Sequence, residues 1–219
     1  MKKVLLATLL SAFAINAFAA NTVDLQVAGV LTNSACTPSL PNGGKVDFGK
    51  SALSSMSATD VNQLGYRDVN LTLTCDAATA LAFTATDAHN DSAVVQLVGS
   101  KAGAADSDFG LGKTAGGVKL GAYTIMLQTS PTVDDVVSPA LYSAAGSTPS
   151  WSVAGSNSFV HTNGNILYTP GNATTKVPTA FKKAVFPLRI TASVQDTTTL
   201  AITDDTNLDG LATFSIIYL

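Results

Sequence analysis

The chain has 219 residues, of which 46% are apolar and only 12% are charged, with a formal net charge of −3. Soluble domains carry about 25% charged residues, so neutral Ser, Thr and Asn must supply much of this surface. The balance gives no electrostatic footprint for nucleic acid. The apolar content excludes an intrinsically disordered chain, and the single uninterrupted apolar run, at the start, is too short to span a bilayer.

Every acidic residue is Asp, and glutamate is absent. Glu, Lys and Arg are the usual fillers of solvent-facing helix positions. Their scarcity beside abundant Thr, Val, Gly and Asn predicts β-structure with many turns. The length suits one large β-domain.

Residues 1–19 read as a secretory signal peptide. Lys2 and Lys3 give the positive start, residues 4–18 the mostly apolar stretch, and Ala17-Phe18-Ala19 the small-x-small cleavage site. Cleavage there would remove two lysines and move the net charge to −5. Two cysteines remain, Cys36 and Cys75, and an even count in an exported chain predicts a disulfide. Such a bridge closes a loop of about 40 residues and contributes roughly 4 kcal/mol in the chain-entropy account.

From residue 22 the chain alternates, with Val23, Leu25 and Val27 on one face of a half-buried strand. Residues 38–44 form a turn cluster, followed by a short strand at 45–48 and a polar loop at 51–62. Val69, Leu71, Leu73 and Cys75 share one face of a strand at 68–75. Strands follow at 80–86 and 92–98, parted by the turn His89-Asn90-Asp91. A Gly-rich loop at 101–117 leads to a strand at 118–129. Residues 130–158 are turn-rich, with Trp151 the only large anchor. Strands close the sequence at 165–169, 184–195 and 211–219. Strands at short, regular spacing without helical periodicity describe a single β-sandwich.

Motifs that could carry chemistry are incomplete. Phe109-Gly110-Leu111-Gly112-Lys113-Thr114 looks like a phosphate loop, but Ser107 stands where its first glycine belongs and no long helix follows. Asp205-Thr206-Asn207-Leu208-Asp209-Gly210 starts like a calcium loop, yet Ile216 occupies the place of the bidentate Glu. Asp, Asn and Gly are also what a tight turn selects. His89 and His161 lie beside no sequence-adjacent nucleophile, and no Gly-x-Ser-x-Gly elbow is present. Asn70 and Asn172 head Asn-x-Thr triplets to which no function is attached. No catalytic, cofactor-binding or metal-ligating residue is assigned, and no enzyme activity is expected.

The terminal strand runs to the last residue, with Ala212, Phe214, Ile216 and Tyr218 on one face. Exposed edges normally carry protective charges or proline, and this one has neither. Here the chain resembles subunits of bacterial chaperone–usher fimbriae. Gly29-Val30-Leu31-Thr32-Asn33-Ser34-Ala35-Cys36 is similar to their opening strand, with glycine seven residues before the first cysteine. Val46-Asp47-Phe48-Gly49 resembles the next strand, Val69 to Cys75 the strand bearing the second cysteine, and Ala184-Val185-Phe186-Pro187-Leu188-Arg189-Ile190 the penultimate strand. The penultimate Tyr218 completes the pattern. A closer likeness, carried by Cys36-Thr37-Pro38 and the stretch from Phe109 to Val118, is to the GltF-like family of exported, fimbrial-like proteins.

The resemblance implies an all-β, immunoglobulin-like (pilin-type) β-sandwich with one disulfide and long inserted loops. Its organisation would be a signal peptide at 1–19, an N-terminal extension at 20–28 and one domain at 29–219. Such subunits lack their last strand. A periplasmic chaperone lends one, and in the pilus the extension of the neighbouring subunit replaces it, the fibre growing through an outer-membrane usher and serving cell adhesion. Val23, Leu25 and Val27 would be donor residues, and Phe214, Ile216 and Tyr218 would flank the acceptor groove and meet the chaperone. The extension is short, about nine residues with three apolar anchors. The alternative is a self-sufficient periplasmic or surface-associated protein of the same fold, acting as a binding module through the loops at 101–117 and 130–158.

Overall fold

The computed structural model describes residues 35–219 apart from 96, 98–104, 129–130 and 156–157. The expected signal peptide, the extension with Val23, Leu25 and Val27, and the opening strand from Gly29 lie outside the described residues. In chain order the strands are β1 (Cys36–Ser39), β2 (Asn62–Thr79), β3 (Leu81–Asp87), β4 (Phe109–Gly110), β5 (Gly121–Leu127), β6 (Thr132–Val133) and β7 (Val136–Val137). They continue as β8 (Ala140–Ala144), β9 (Ser152–Val153), β10 (Ser158–Phe159), β11 (Ile166–Pro170), β12 (Phe181–Val194) and β13 (Ala212–Tyr218), with a short helix α1 (Thr197–Leu200) before the last.

Two antiparallel sheets make an all-β sandwich. One runs β1-β2-β12-β5-β10, with β4 added on β5 and the β6–β7 hairpin on β12; the other runs β13-β3-β11-β8-β9. The long β2 and β12 pair along most of their length, from Lys183 opposite Thr74 to Val194 opposite Asn62. Their alternation follows the expected pattern, with Leu71, Leu73, Phe186, Leu188 and Ile190 buried between the sheets. Phe83 is the hub of this core. Its ring stacks on Tyr168 at 5.3 Å and meets Phe186 edge-on at 4.9 Å and Phe214 at 5.9 Å.

The disulfide is present: Cys36 and Cys75 sit directly opposite one another in the β1–β2 pair and are bonded. On the outer face of the same sheet Arg189 grips Asp68 through two hydrogen bonds, Nε to Oδ1 at 2.8 Å and Nη2 to Oδ2 at 2.9 Å, while its guanidinium lies 3.8 Å over the Tyr66 ring. The Arg189 hydrogen bond holds the Asp68 carboxyl below its ordinary range.

Four local expectations need correction. Residues 45–48 are not a strand: Asp47 folds back, its Oδ1 accepting from the Gly49 N–H at 2.7 Å, and its carbonyl accepts from Arg67 Nε at 3.0 Å. Val46 and Phe48 still pack on the core as an alternating strand would. The strand expected at 92–98 is not formed over its described residues; Ala93 makes a single bridge to Gly121 after the turn Asn90–Ser92. The segment 130–158 is less irregular than its turn residues suggest, because it contributes β6 to β9 and Trp151 is only half-buried. Helix α1 stands where the sequence pattern predicts no helix; Asp196 caps it, accepting from the Thr199 N–H at 2.7 Å.

Candidate functional site: an apolar groove beside the terminal strand

Strand β13 pairs only with β3, from Ala212 opposite Asp87 to Tyr218 opposite Leu81, and heads the order of its sheet. Among the described residues no strand lies on its other side. Its inward residues Ala212, Phe214 and Ile216 are half-buried, whereas their counterparts on β3, Phe83 and Ala85, are fully enclosed. The alternation therefore matches the sequence, but the described residues leave the inner face uncovered.

The uncovered space is an open groove of about 1460 Å³. Its floor is apolar and comes from the first sheet: Leu64, Val69, Tyr123, Ile125, Leu188, Ile190 and Val194. One wall is the coil carrying Val46, Phe48, Leu53 and Met56; the other is residues 202–208 and 210–212 with Phe214. Burial pushes the Tyr123 phenol well up, so the floor carries no charge at neutral pH. Charged groups stay on the walls, with Lys45, Asp47 and Lys50 on one side and Asp204 and Asp205 on the other.

The wall before β13 is held by a junction of three backbones. The Asp209 N–H donates to the Leu111 carbonyl at 2.9 Å, the Ala88 N–H donates to the Leu211 carbonyl at 2.9 Å, and the His89 ring Nδ1 meets the Asp209 carbonyl at 2.6 Å. Asp87 adds its two carboxylate oxygens, Oδ2 accepting from the Gly110 N–H and Oδ1 from the His89 N–H, both at 2.8 Å. Glycine is needed here for contact: a Cβ on Gly110 would strike the His89 carbonyl and Ser92 Oγ, and one on Gly210 would come within 2.7 Å of the Tyr123 ring. The phosphate-loop look-alike around Gly110 and Gly112 thus anchors the groove wall. The expected calcium-loop turn at 205–210 forms part of the same wall. Among the described residues no group of three or more His, Cys, Asp or Glu is placed to hold a metal ion.

The three residues expected to flank the groove are not placed alike. Phe214 lines it; Ile216 is half-buried against the core without lining it, and Tyr218 is 52% exposed. The Tyr218 hydroxyl accepts from the Cys36 N–H at 3.1 Å. The open stretch therefore runs along the start of β13 and the coil before it, and the sandwich is closed around Phe83, Phe186 and Phe181. The coil walls carry this extra reach, which sequence alternation does not signal. Their residues repeat with neither strand nor helix period. A second, smaller cleft of about 480 Å³ lies between the β6–β7 hairpin and residues 171–174, within the reach of the 130–158 segment.

Fold and groove together define an all-β sandwich whose terminal strand has one unpaired edge among the described residues. Over residues 25–124 the chain matches the family described as Protein of unknown function (DUF1120). It is 31% identical over 237 aligned residues to Uncharacterized protein YhcF of Escherichia coli (strain K12), with 94% of each chain covered. It is also 31% identical over 243 residues to Protein GltF of the same organism, covering 96% of this chain and 94% of that one. The chain belongs to the same family as YhcF and GltF.

Proposed function

We propose that this protein is an exported structural subunit of a surface fibre of the chaperone–usher type, contributing to cell adhesion and assembled by donor-strand exchange. The observation that carries the reading is the apolar groove beside β13, a strand with one paired edge among the described residues. Strand addition uses such an edge for backbone hydrogen bonds and alternate side chains for specificity. Residues 20–28 of a neighbouring subunit would supply the added strand, with Val23, Leu25 and Val27, on one face of its period of two, seated on the floor.

Contacts of this head-to-tail kind do not close on themselves and make filaments. Before assembly, a periplasmic chaperone would cover the same edge, and an outer-membrane usher would pass the subunit on. The Cys36–Cys75 bridge supports an oxidising compartment on the route. In this role the protein has no chemistry of its own.

The test is thermal unfolding of the protein lacking residues 1–19, alone and with a peptide of residues 21–28. The reading predicts a poorly stable protein that the peptide stabilises, by about 2.7 kcal/mol at a free concentration of 100 Kd. A high, cooperative transition that the peptide does not move would overturn it, in favour of a self-sufficient binding module.

A further inference from the structure

Tyr218 is the penultimate residue, and half of its surface is open to solvent. Burial does not explain an aromatic ring there, whereas its hydroxyl has a definite partner. It accepts from the Cys36 backbone N–H at 3.1 Å, across 182 positions of sequence. Cys36 begins β1 in one sheet, and Tyr218 ends β13 in the other. The bond is a staple between the two sheets at one corner of the sandwich.

Both ends of the staple are fixed by other means. Cys36 is bonded to Cys75 and paired with it in register. Tyr218 is paired with Leu81, and the Leu219 N–H donates to the Ala80 carbonyl at 3.1 Å. The groove's lining on β13 stops at Phe214, two residues short of Ile216 and four short of Tyr218. Ile216 points inward on the same edge strand and is half-buried against the core like Phe214, yet it does not line the groove.

We infer that the Tyr218 hydroxyl is a positioning group that holds the end of β13 against the start of β1 and so sets where the groove closes. An incoming strand then meets a fixed stop between Phe214 and Ile216, which determines how far along β13 it can pair. This rests on the groove being a strand acceptor, but the stop itself is a property of the free protein. A phenylalanine at 218 would keep the ring and lose the stop.

The experiment compares the full chain with its Tyr218→Phe variant in two ways. Hydroxyl-radical footprinting reads solvent access at Ile216 and Phe214, and amide hydrogen exchange reads Cys36. The expected result is higher labelling of Ile216 with Phe214 unchanged, and a Cys36 amide that exchanges about fivefold faster, the factor set by one net hydrogen bond. Unchanged Ile216 labelling overturns the inference, whether or not Cys36 exchange rises. A peptide of residues 21–28 with a photoreactive group at position 25 adds the functional readout. Its crosslinks should advance toward Ile216 in the variant, and an unchanged crosslink map also overturns the stop. Failure of the peptide to bind the unmodified chain would count against strand acceptance, while the footprint still decides the stop.

Discussion

Replacing Phe214 by alanine should destabilise the free protein by much less than the same change at Phe83, although the two rings touch. Phe83 is fully enclosed by Tyr168, Phe186 and Phe214, and truncating such a residue costs about 3–5 kcal/mol. Phe214 contacts the same cluster on one side and the groove on the other, and it is only half-buried. Roughly half the burial and one edge-on ring contact are lost, so the expected cost is about 2 kcal/mol. For a domain of this size that lowers Tm by about 4–8 °C, against about 6–20 °C for Phe83→Ala. Saturating the groove with a peptide of residues 21–28 should raise the cost of Phe214→Ala toward that of Phe83→Ala, because the ring is then enclosed. Differential scanning calorimetry of the four combinations reads these shifts directly. Equal losses for the two variants without peptide would mean that the groove is already filled within one molecule, and the reasoning would fail.

Three further outcomes follow from the same contacts. Gly110→Ala should sharply reduce folded yield, since its Cβ would strike the His89 carbonyl and Ser92 Oγ, whereas Gly146→Ala, with open space around it, should fold normally. Removing the disulfide by Cys36→Ser should lower stability by about 4 kcal/mol, measured from the denaturant midpoint; a change below about 1 kcal/mol would refute the loop-entropy account. The Asp68 carboxyl is held low by Arg189, so its contribution is present above about pH 4 and is lost as pH falls through the depressed folded value. Asp68→Asn should flatten the acid limb of a Tm–pH curve, and an unaltered limb would show that the pair contributes nothing.

The sequence made the paired strands legible because burial on one face imposes a period of two. Val69, Leu71, Leu73 and Cys75, and the terminal series through Phe214, are placed as that period requires. The groove was legible only through its edge strand. Its walls are coils at 44–56 and 202–211, whose side chains face one another through tertiary contact and carry no local period. The hydroxyl bond of Tyr218 joins residues 182 positions apart, and no local pattern reports it. Residues 45–48 show the opposite error. Val46 and Phe48 alternate as a strand does, but the Asp47 carboxylate captures the Gly49 N–H and bends the backbone away from a ladder.

The proposed function requires the groove beside β13 to be filled from a second molecule. The decisive measurement places a photoreactive residue at position 25, in a mixture of isotopically light and heavy protein lacking residues 1–19. Exchange between molecules predicts light-to-heavy crosslinks that map to Phe214, Leu188 or Ile190 and build a ladder of covalent multimers as protein concentration rises. Crosslinks confined to single chains, at a yield independent of concentration, would contradict it.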